Sequence, residues 1–266
     1  MNEIIKRKEK ISAVLIVRNE EKNIKDCLES IKWVDEIIVV DQSSTDKTVE
    51  IAKNYTDKIY ITEPKGICEP DRNFAIQMAS NSWILLIDAD LRITDELRKE
   101  ILLSLSSDKE VFYLPAKNYF IGKWIRGCGW WPGYMPRLFI KGKIKFSPNI
   151  HEEGEIFTKK IGYLKNPIIH YSYDSIGSWI SKFDRYTSKY AEEYLAKYKT
   201  PNFFLSVKEL VIRPIYFFIL KYFFKKGFLD GWRGFFISVS SAITVFMSYI
   251  KFLELTEKNE KNNLYR

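Results

Sequence analysis

Two carboxylates two residues apart, Asp88 and Asp90, follow directly on the apolar run WILLI (83–87). Carboxylate oxygens are hard donors suited to Mg2+ or Mn2+, and Mg2+ is commonly held by one or two carboxylates together with substrate phosphates. A metal held there can neutralise a diphosphate leaving group. Alone, the pair is weak evidence and fits a solvated turn after a strand better than a metal site. Two further polar clusters close apolar runs in the same way. Asn19 and Glu20 follow SAVLIV (12–17), and Asp41 follows EIIVV (36–40). In open α/β sheets ligands bind beyond the carboxyl ends of the strands, so the three clusters would converge on one crevice. That convergence is a stronger signal than any one of them.

The elements that would position these residues alternate along the first 110 positions. SAVLIV is a short apolar run rich in β-branched residues and reads as a buried strand, and EIIVV, KIYI (58–61) and WILLI read as the next three strands. Ile24, Cys27, Leu28 and Ile31 recur at helical spacing within 21–32. Ser43, Ser44 and Thr45 offer N-cap oxygens for a helix to about residue 54, and Ala75, Met78 and Ala79 share a face of a helix over 70–80. Thr94 can cap a helix whose first turn holds Asp95 and Glu96. Strand–helix alternation of this kind predicts a mostly parallel, Rossmann-like sheet with helices on both faces, an α/β fold. After residue 110, VFYL (111–114) reads as a strand, and the Gly-, Trp- and Pro-rich stretch 122–139 as loop and irregular structure. Residues 176–198 read as helix.

Composition narrows the chemistry. The chain has 266 residues, 46% of them hydrophobic, enough to bury a full core. Residues 11–110 hold 13 Lys/Arg and 20 Asp/Glu, net −7, whereas 111–266 are net +13 and carry most of the aromatic excess. A basic, aromatic half suits an anionic membrane face, a nucleic acid or simply a solvated Lys-rich surface. Nucleic acid is the weakest of these, since no binding motif is present and the aromatics sit in apolar runs. Three cysteines without a CxxC pair argue against a disulfide scaffold and fit a reducing cytoplasm. With only His151 and His170, a zinc site would need an unusual ligand set. The charged N-terminus, MNEIIKRKEK, has no apolar signal core, so secretion is not expected.

Six motifs in order make the reading specific. The chain holds Asn19-Glu20-Glu21, Trp33 through Asp46, Arg72-Asn73, Asp88-Ala89-Asp90, Gly129-Trp130-Trp131-Pro132 with Arg137-Leu138-Phe139, and His151-Glu152. Over about residues 11–175 this resembles glycosyltransferase family 2, in the branch that includes bacterial lipopolysaccharide-core glycosyltransferases. The resemblance implies the GT-A nucleotide-diphospho-sugar fold. It also implies metal-dependent, inverting transfer from a nucleotide sugar, with a UDP-sugar the favoured donor. Val17, Arg18, Asn19, Glu20, Asp41 and Ser43 would then line the base and ribose, Arg72 the diphosphate, Asp88 and Ala89 the nucleotide, and Asp90 with Asp88 the Mg2+ or Mn2+. An inverting transfer needs a carboxylate to take the acceptor hydroxyl's proton. Glu152 is the candidate, with Glu153 and Glu155 close competitors. Trp130, Trp131, Arg137 and His151 would line the acceptor pocket, although paired tryptophans are often core. The chain departs from the pattern at Leu91, usually an acid, at Gln42-Ser43, usually Ser-Gly, and at Gly133, often Asp.

Residues 1–175 therefore read as the catalytic domain, divided near residue 110 into nucleotide and acceptor halves. Residues 176–266 read as a helical, membrane-associating extension. Residues 203–233 are net +4 and dense in Phe, Tyr, Ile and Leu, and 234–250 hold no charge. A spanning helix needs ~20 apolar residues, and this 17-residue run carries four serines and a threonine. The reading is interfacial helices on the cytoplasmic face of the plasma membrane, near a lipid-linked or envelope-glycan acceptor. Two alternatives stand beside it. A nucleotidyltransferase usually carries a Gly-rich basic loop after the first strand, which VRNEEKN lacks. An inactive membrane scaffold sits poorly with Asp41, Asp88, Asp90 and Glu152 together.

Overall fold

The four apolar runs become strands β1 (Ile11–Val17), β2 (Glu36–Asp41), β3 (Ile59–Ile61) and β4 (Trp83–Leu86) in a computed structural model that describes residues 9–65, 69–147 and 154–264. They lie in the order β3-β2-β1-β4, all parallel, with Val17 paired to Asp41 and Val14 to Leu86. The segments leaving β1, β2 and β4 thus emerge at one edge. Alternate residues of β1 feed two cores, as the two-residue strand period requires. Ala13, Leu15 and Val17 pack with Ile24, Cys27, Leu28 and Ile31 of α1 (Ile24–Ile31) and with Leu97 and Ile101 of α4 (Asp95–Ser104). Val14 and Ile16 pack with Ala75, Ile76 and Ala79, the first two on α3 (Glu69–Met78) and the third just beyond it. Thr94 caps α4 as expected, accepting from Leu97 N at 3.2 Å.

Two local expectations change. α2 is shorter than expected (Thr48–Ala52), and Ser43, Ser44 and Thr45 do not cap it, because their polar groups are engaged elsewhere. The supposed irregular stretch 122–139 contains part of β8 (Tyr134–Ile140), which lies between β4 and β6 (Val111–Phe120), antiparallel to both. The sheet is therefore mixed: parallel through its first four strands, antiparallel where β8 joins. Pro136 disguises β8 in the sequence. It is accommodated beside a register shift between Phe112 and Tyr113, where a missing ladder donor costs little.

The short strand β5 (Leu91–Arg92) pairs antiparallel with β12 (Ile168–Tyr173), setting His170 opposite Leu91. β7 (Lys123–Trp124) and β11 (Ile161–Tyr163) both pair with β6, while β9 (Ile144–Lys145) and β10 (Glu155–Ile156) form a separate ribbon.

The chain divides into two compact units, Met1–Lys117 with Gly133–Tyr171, and Asn118–Pro132 with Ser172–Arg266. The boundary expected at residue 175, with 118–132 in the acceptor half, differs from this division. In the structure that segment belongs with the helices α5 (Ile176–Tyr198), α6 (Phe203–Val207), α7 (Arg213–Ile219) and α8 (Trp232–Leu264). The reason is packing. Phe120, Ile125 and Cys128 share a core with Ile237, and the buried Asp230 accepts from Arg126 N at 3.1 Å and Gly127 N at 2.6 Å. Pro214 does not break the helical run. It sits at the start of α7, between two π-helical turns (Lys208–Ile212 and Leu220–Phe224), where a missing N–H is tolerated.

Candidate active site

The loops after β1 and β2 are tied to each other through polar contacts. Asn19 adopts a left-handed backbone (φ 55°) and donates its N–H to Ser44 Oγ at 2.8 Å. Its side-chain Oδ1 accepts from Thr45 N at 2.8 Å, and Glu20 N donates to Thr48 Oγ1 at 2.7 Å. Asp41 is fully buried at the end of β2, where it accepts from Ser44 N at 2.8 Å and Ser44 Oγ at 2.5 Å. Ser43 is also left-handed (φ 54°) and donates Oγ–H to the Thr62 carbonyl at 2.8 Å. A glycine would meet that conformation without strain, which explains why Ser43 stands out against the usual Ser-Gly. Val17, Asn19, Glu20, Asp41 and Ser43 are thus brought together, with Arg18 exposed beside them.

Beyond β4 the two carboxylates have different partners. Arg137, buried on β8, donates Nη2–H to Asp88 Oδ2 at 2.5 Å. Burial pushes the Asp88 carboxyl up, but Arg137 and then Arg72 outweigh it and hold it below the ordinary carboxylate range. Asp90 Oδ2 lies 3.4 Å from His170 Nε2. The β5–β12 pairing makes that approach, since Tyr171 N donates to the Asp90 carbonyl at 2.9 Å. Ala89, between them, is buried and pinned by Arg92, which donates to its carbonyl at 2.7 Å and to the Asn23 carbonyl at 2.9 Å. Beneath the pair, Cys27 Sγ–H points at the Asp88 carbonyl at 3.5 Å. Burial pushes this thiol far up, so it is no nucleophile.

Arg72 and Asn73 divide their tasks. The Arg72 guanidinium lies 5.5 Å from the Phe146 ring centroid and within electrostatic reach of Asp88. Asn73 exchanges two hydrogen bonds with the Phe146 backbone, at 2.8 and 3.0 Å, fixing the chain just before residue 148. His151 and Glu152, with the competitor Glu153, lie outside the described residues. Trp130 and Trp131 lie in the helical unit. Trp130 packs on Phe120 and Tyr173, and Trp131 meets Trp124 edge to face, so their described contacts are with other aromatic rings of that unit. Arg137, expected to line an acceptor pocket, contacts Asp88 and also donates to Met135 Sδ at 3.6 Å.

Residues 12–157 match the profile of the family described as "Glycosyl transferase family 2". An uncharacterised glycosyltransferase of Rickettsia typhi is 31% identical over 94% of this chain and 89% of its own length. The chain belongs to glycosyltransferase family 2. The enzyme is also 28% identical to the lipopolysaccharide core biosynthesis glycosyltransferase LpsC of Rhizobium meliloti, over 91% of each chain. Among solved structures, Staphylococcus aureus TarS 1-349 in complex with UDP-GlcNAc aligns with a TM-score of 0.48 and 15% identity, covering 96% of this chain and 92% of that one.

Family membership brings the expected GT-A class and sets aside both the nucleotidyltransferase and the inactive scaffold. In the glycosyltransferase, sequence reasoning missed His170 and Arg92. His170 sits about 80 positions from Asp90, and only the antiparallel pairing of a two-residue strand unites them. Nothing in the local sequence KIGYLKNPIIHYS (160–172) signals such a partner; the one clue is that His170 follows two isoleucines, as the site acids follow apolar runs.

Proposed function

We propose that this glycosyltransferase moves a sugar from a nucleotide-diphospho-sugar, with UDP the favoured nucleotide, to a hydroxyl of a lipid-linked or cell-envelope glycan, with inversion and with Mg2+ or Mn2+. The observation that carries the reading is the division of the two carboxylates: Asp88 against Arg137 and Arg72, Asp90 beside His170. Asp90 and His170 offer one oxygen and one nitrogen donor to a divalent ion. No cluster of three metal-capable side chains occurs among the described residues. Mg2+ is commonly held by one or two carboxylates, with water and substrate phosphates completing its shell. The bound ion would supply charge neutralisation to the departing diphosphate.

The chain's own residues do the rest. Asp41 and the tied loops hold the nucleoside, and Arg72 and Arg137 add fixed positive charge where the leaving group gains negative charge. The acceptor oxygen bonds to the anomeric carbon as the bond to the diphosphate oxygen breaks, and the hydroxyl proton passes to Glu152. LpsC, named for lipopolysaccharide core biosynthesis, supports a core oligosaccharide as the acceptor to try first.

Surface attachment to the inner face of the plasma membrane is part of the same proposal. Phe203, Phe204, Phe223 and Phe224 are exposed on the helical unit, Phe204 at 84%, beside exposed Lys208, Lys225 and Lys226. α8 holds a stretch, Trp232–Asn259, long and apolar enough to cross a membrane. Its hydroxyls do not decide against crossing, since Ser238, Ser241, Thr244 and Ser248 each donate to the carbonyl four residues back. What favours lying flat is α5, the charged helix against which α8 packs. Lys251 of α8 donates to Asp184 Oδ1 at 2.7 Å and Ser188 Oγ at 2.8 Å. The central test is a donor screen with Mg2+ or Mn2+, followed by the anomeric configuration of the product. Retained configuration, or full turnover in EDTA, would overturn the mechanism.

A further inference from the structure

Three tyrosines from three strands of the sheet unit form a partly exposed aromatic cluster, its inner member Tyr113 resting on the core. Tyr113 of β6 and Tyr163 of β11 lie 5.3 Å apart, nearly parallel at 21°, and Tyr134 of β8 meets Tyr163 edge to face at 5.2 Å. Tyr163 is 62% exposed and Tyr134 43% exposed. A cluster of large aromatic faces left open is not a folding requirement, because each ring would be worth more buried. Gly162 helps to place it: a Cβ there would fall 2.5 Å from the Phe112 ring, so only glycine lets β11 lie this close to β6.

The position is as telling as the composition. β8 runs antiparallel to β4 with Leu138 opposite Leu85. Continuing that register carries Arg137 to the level of Leu86 and Tyr134 to the level of Ala89. Tyr113 pairs with Pro136, and Tyr163 with Tyr113. The cluster therefore sits at the ligand-binding end of the sheet, on the strands that continue outward from Asp88 and Arg137. With strands ~4.8 Å apart, it extends from about 5 to about 14 Å from β4.

We propose that Tyr113, Tyr134 and Tyr163 form a subsite for a sugar ring of an oligosaccharide acceptor, one or more residues away from the hydroxyl that reacts. The inference rests on the reading of this enzyme as a transferase acting on a glycan. Tyrosine suits that ligand. Its ring offers a flat face to the apolar C–H face of a pyranose, its hydroxyl can bond the ring's own hydroxyls, and only two torsions must be fixed. The contrast with the phenylalanine-rich helical unit sharpens this. A lipid surface asks for apolar side chains, whereas every ring of this cluster carries a hydroxyl.

The test uses the full chain and, as probe, the core oligosaccharide released by mild acid from Rhizobium meliloti lipopolysaccharide. Titration calorimetry measures its binding in saturating UDP, with UDP binding measured separately. The double variant Tyr134→Ala/Tyr163→Ala should bind the oligosaccharide at least tenfold more weakly and UDP within twofold of the wild type. Tyr163→Phe, which keeps the ring, should stay within threefold. Equal oligosaccharide binding by the double variant overturns the subsite, as does a wild-type protein that binds UDP but not the oligosaccharide. A wild-type protein that binds neither overturns the underlying donor reading, and the subsite with it.

Discussion

The two units spend their large apolar side chains in opposite directions. In the sheet unit, every residue of β1 and β4 is buried, and the exposed aromatics are mainly tyrosines. In the helical unit, phenylalanine, isoleucine and leucine point outward along Phe203–Phe246, while Ser238, Ser240 and Ser248 are tucked inside. The first pattern is that of a domain which must hold polar groups at fixed distances in water. The second is the pattern of a surface suited to an apolar partner. The contrast says that net hydrophobicity does not separate a core from a docking face; the direction of the side chains does.

That contrast can be broken at several points. The largest effect is expected at the chemistry. Glu152→Gln and Asp90→Asn should each lower transfer by on the order of 10²–10⁴-fold, while the thermal midpoint stays within a few degrees. Near-wild-type turnover in either would remove that residue from the mechanism, and activity lost in Glu153→Gln alone would move the base by one position.

The second effect belongs to the other unit. Phe203→Ser/Phe204→Ser should weaken binding to anionic vesicles by about 10²–10³-fold, at about 2 kcal/mol for each ring, without lowering stability. High salt should release the wild type only in part, because it screens the lysines and leaves the apolar contribution. A destabilised variant that still floats with vesicles would show these rings to be structural.

A third variant, Arg137→Ala, leaves Asp88 without its closest counter-charge and should cost about 3 kcal/mol of unfolding free energy, read by urea titration. A negligible loss would mean that Arg72 or solvent suffices. Fourth, Glu36 gives the sheet unit an acid limit. Burial raises its carboxyl, but Lys58, Ser12 and Ser80 together pull it from 4.5 down to about 2. Its contribution is complete above pH 4.5 and fades as pH falls towards 2, so Glu36→Gln should flatten the pH dependence of stability across that window. The smallest effect is expected at Ser43. Replacement by glycine relieves a left-handed backbone and should change stability by about 1 kcal/mol at most, although it removes the bond to Thr62.

Much of this was legible from residue patterns, and for identifiable reasons. β1, β2 and β4 read as nearly continuous apolar runs because both faces of the sheet are covered, and α1 shows its buried stripe because only one of its faces is. The acids at the strand ends were legible because parallel strands deliver them to one edge. β8 was not, because Pro136 and the glycine-rich approach hide a strand whose partners are fixed only by tertiary pairing. Arg137 reads as a site residue from its motif, but nothing in its spacing points to Asp88 across the sheet. His170 escaped for the same reason.

Cys27 and Cys128 have a practical consequence. Each is buried, one under Asp88 in the sheet unit and the other against Gly234 and Ser238 in the helical unit, and burial pushes both thiols up. Neither can meet an alkylating reagent until its surroundings open. In a Cys68→Ser background the two act as separate clocks for local unfolding. Nucleotide should slow modification at Cys27 alone, and vesicles at Cys128 alone. Mass spectrometry of the labelled peptides would then read the two halves of one molecule independently.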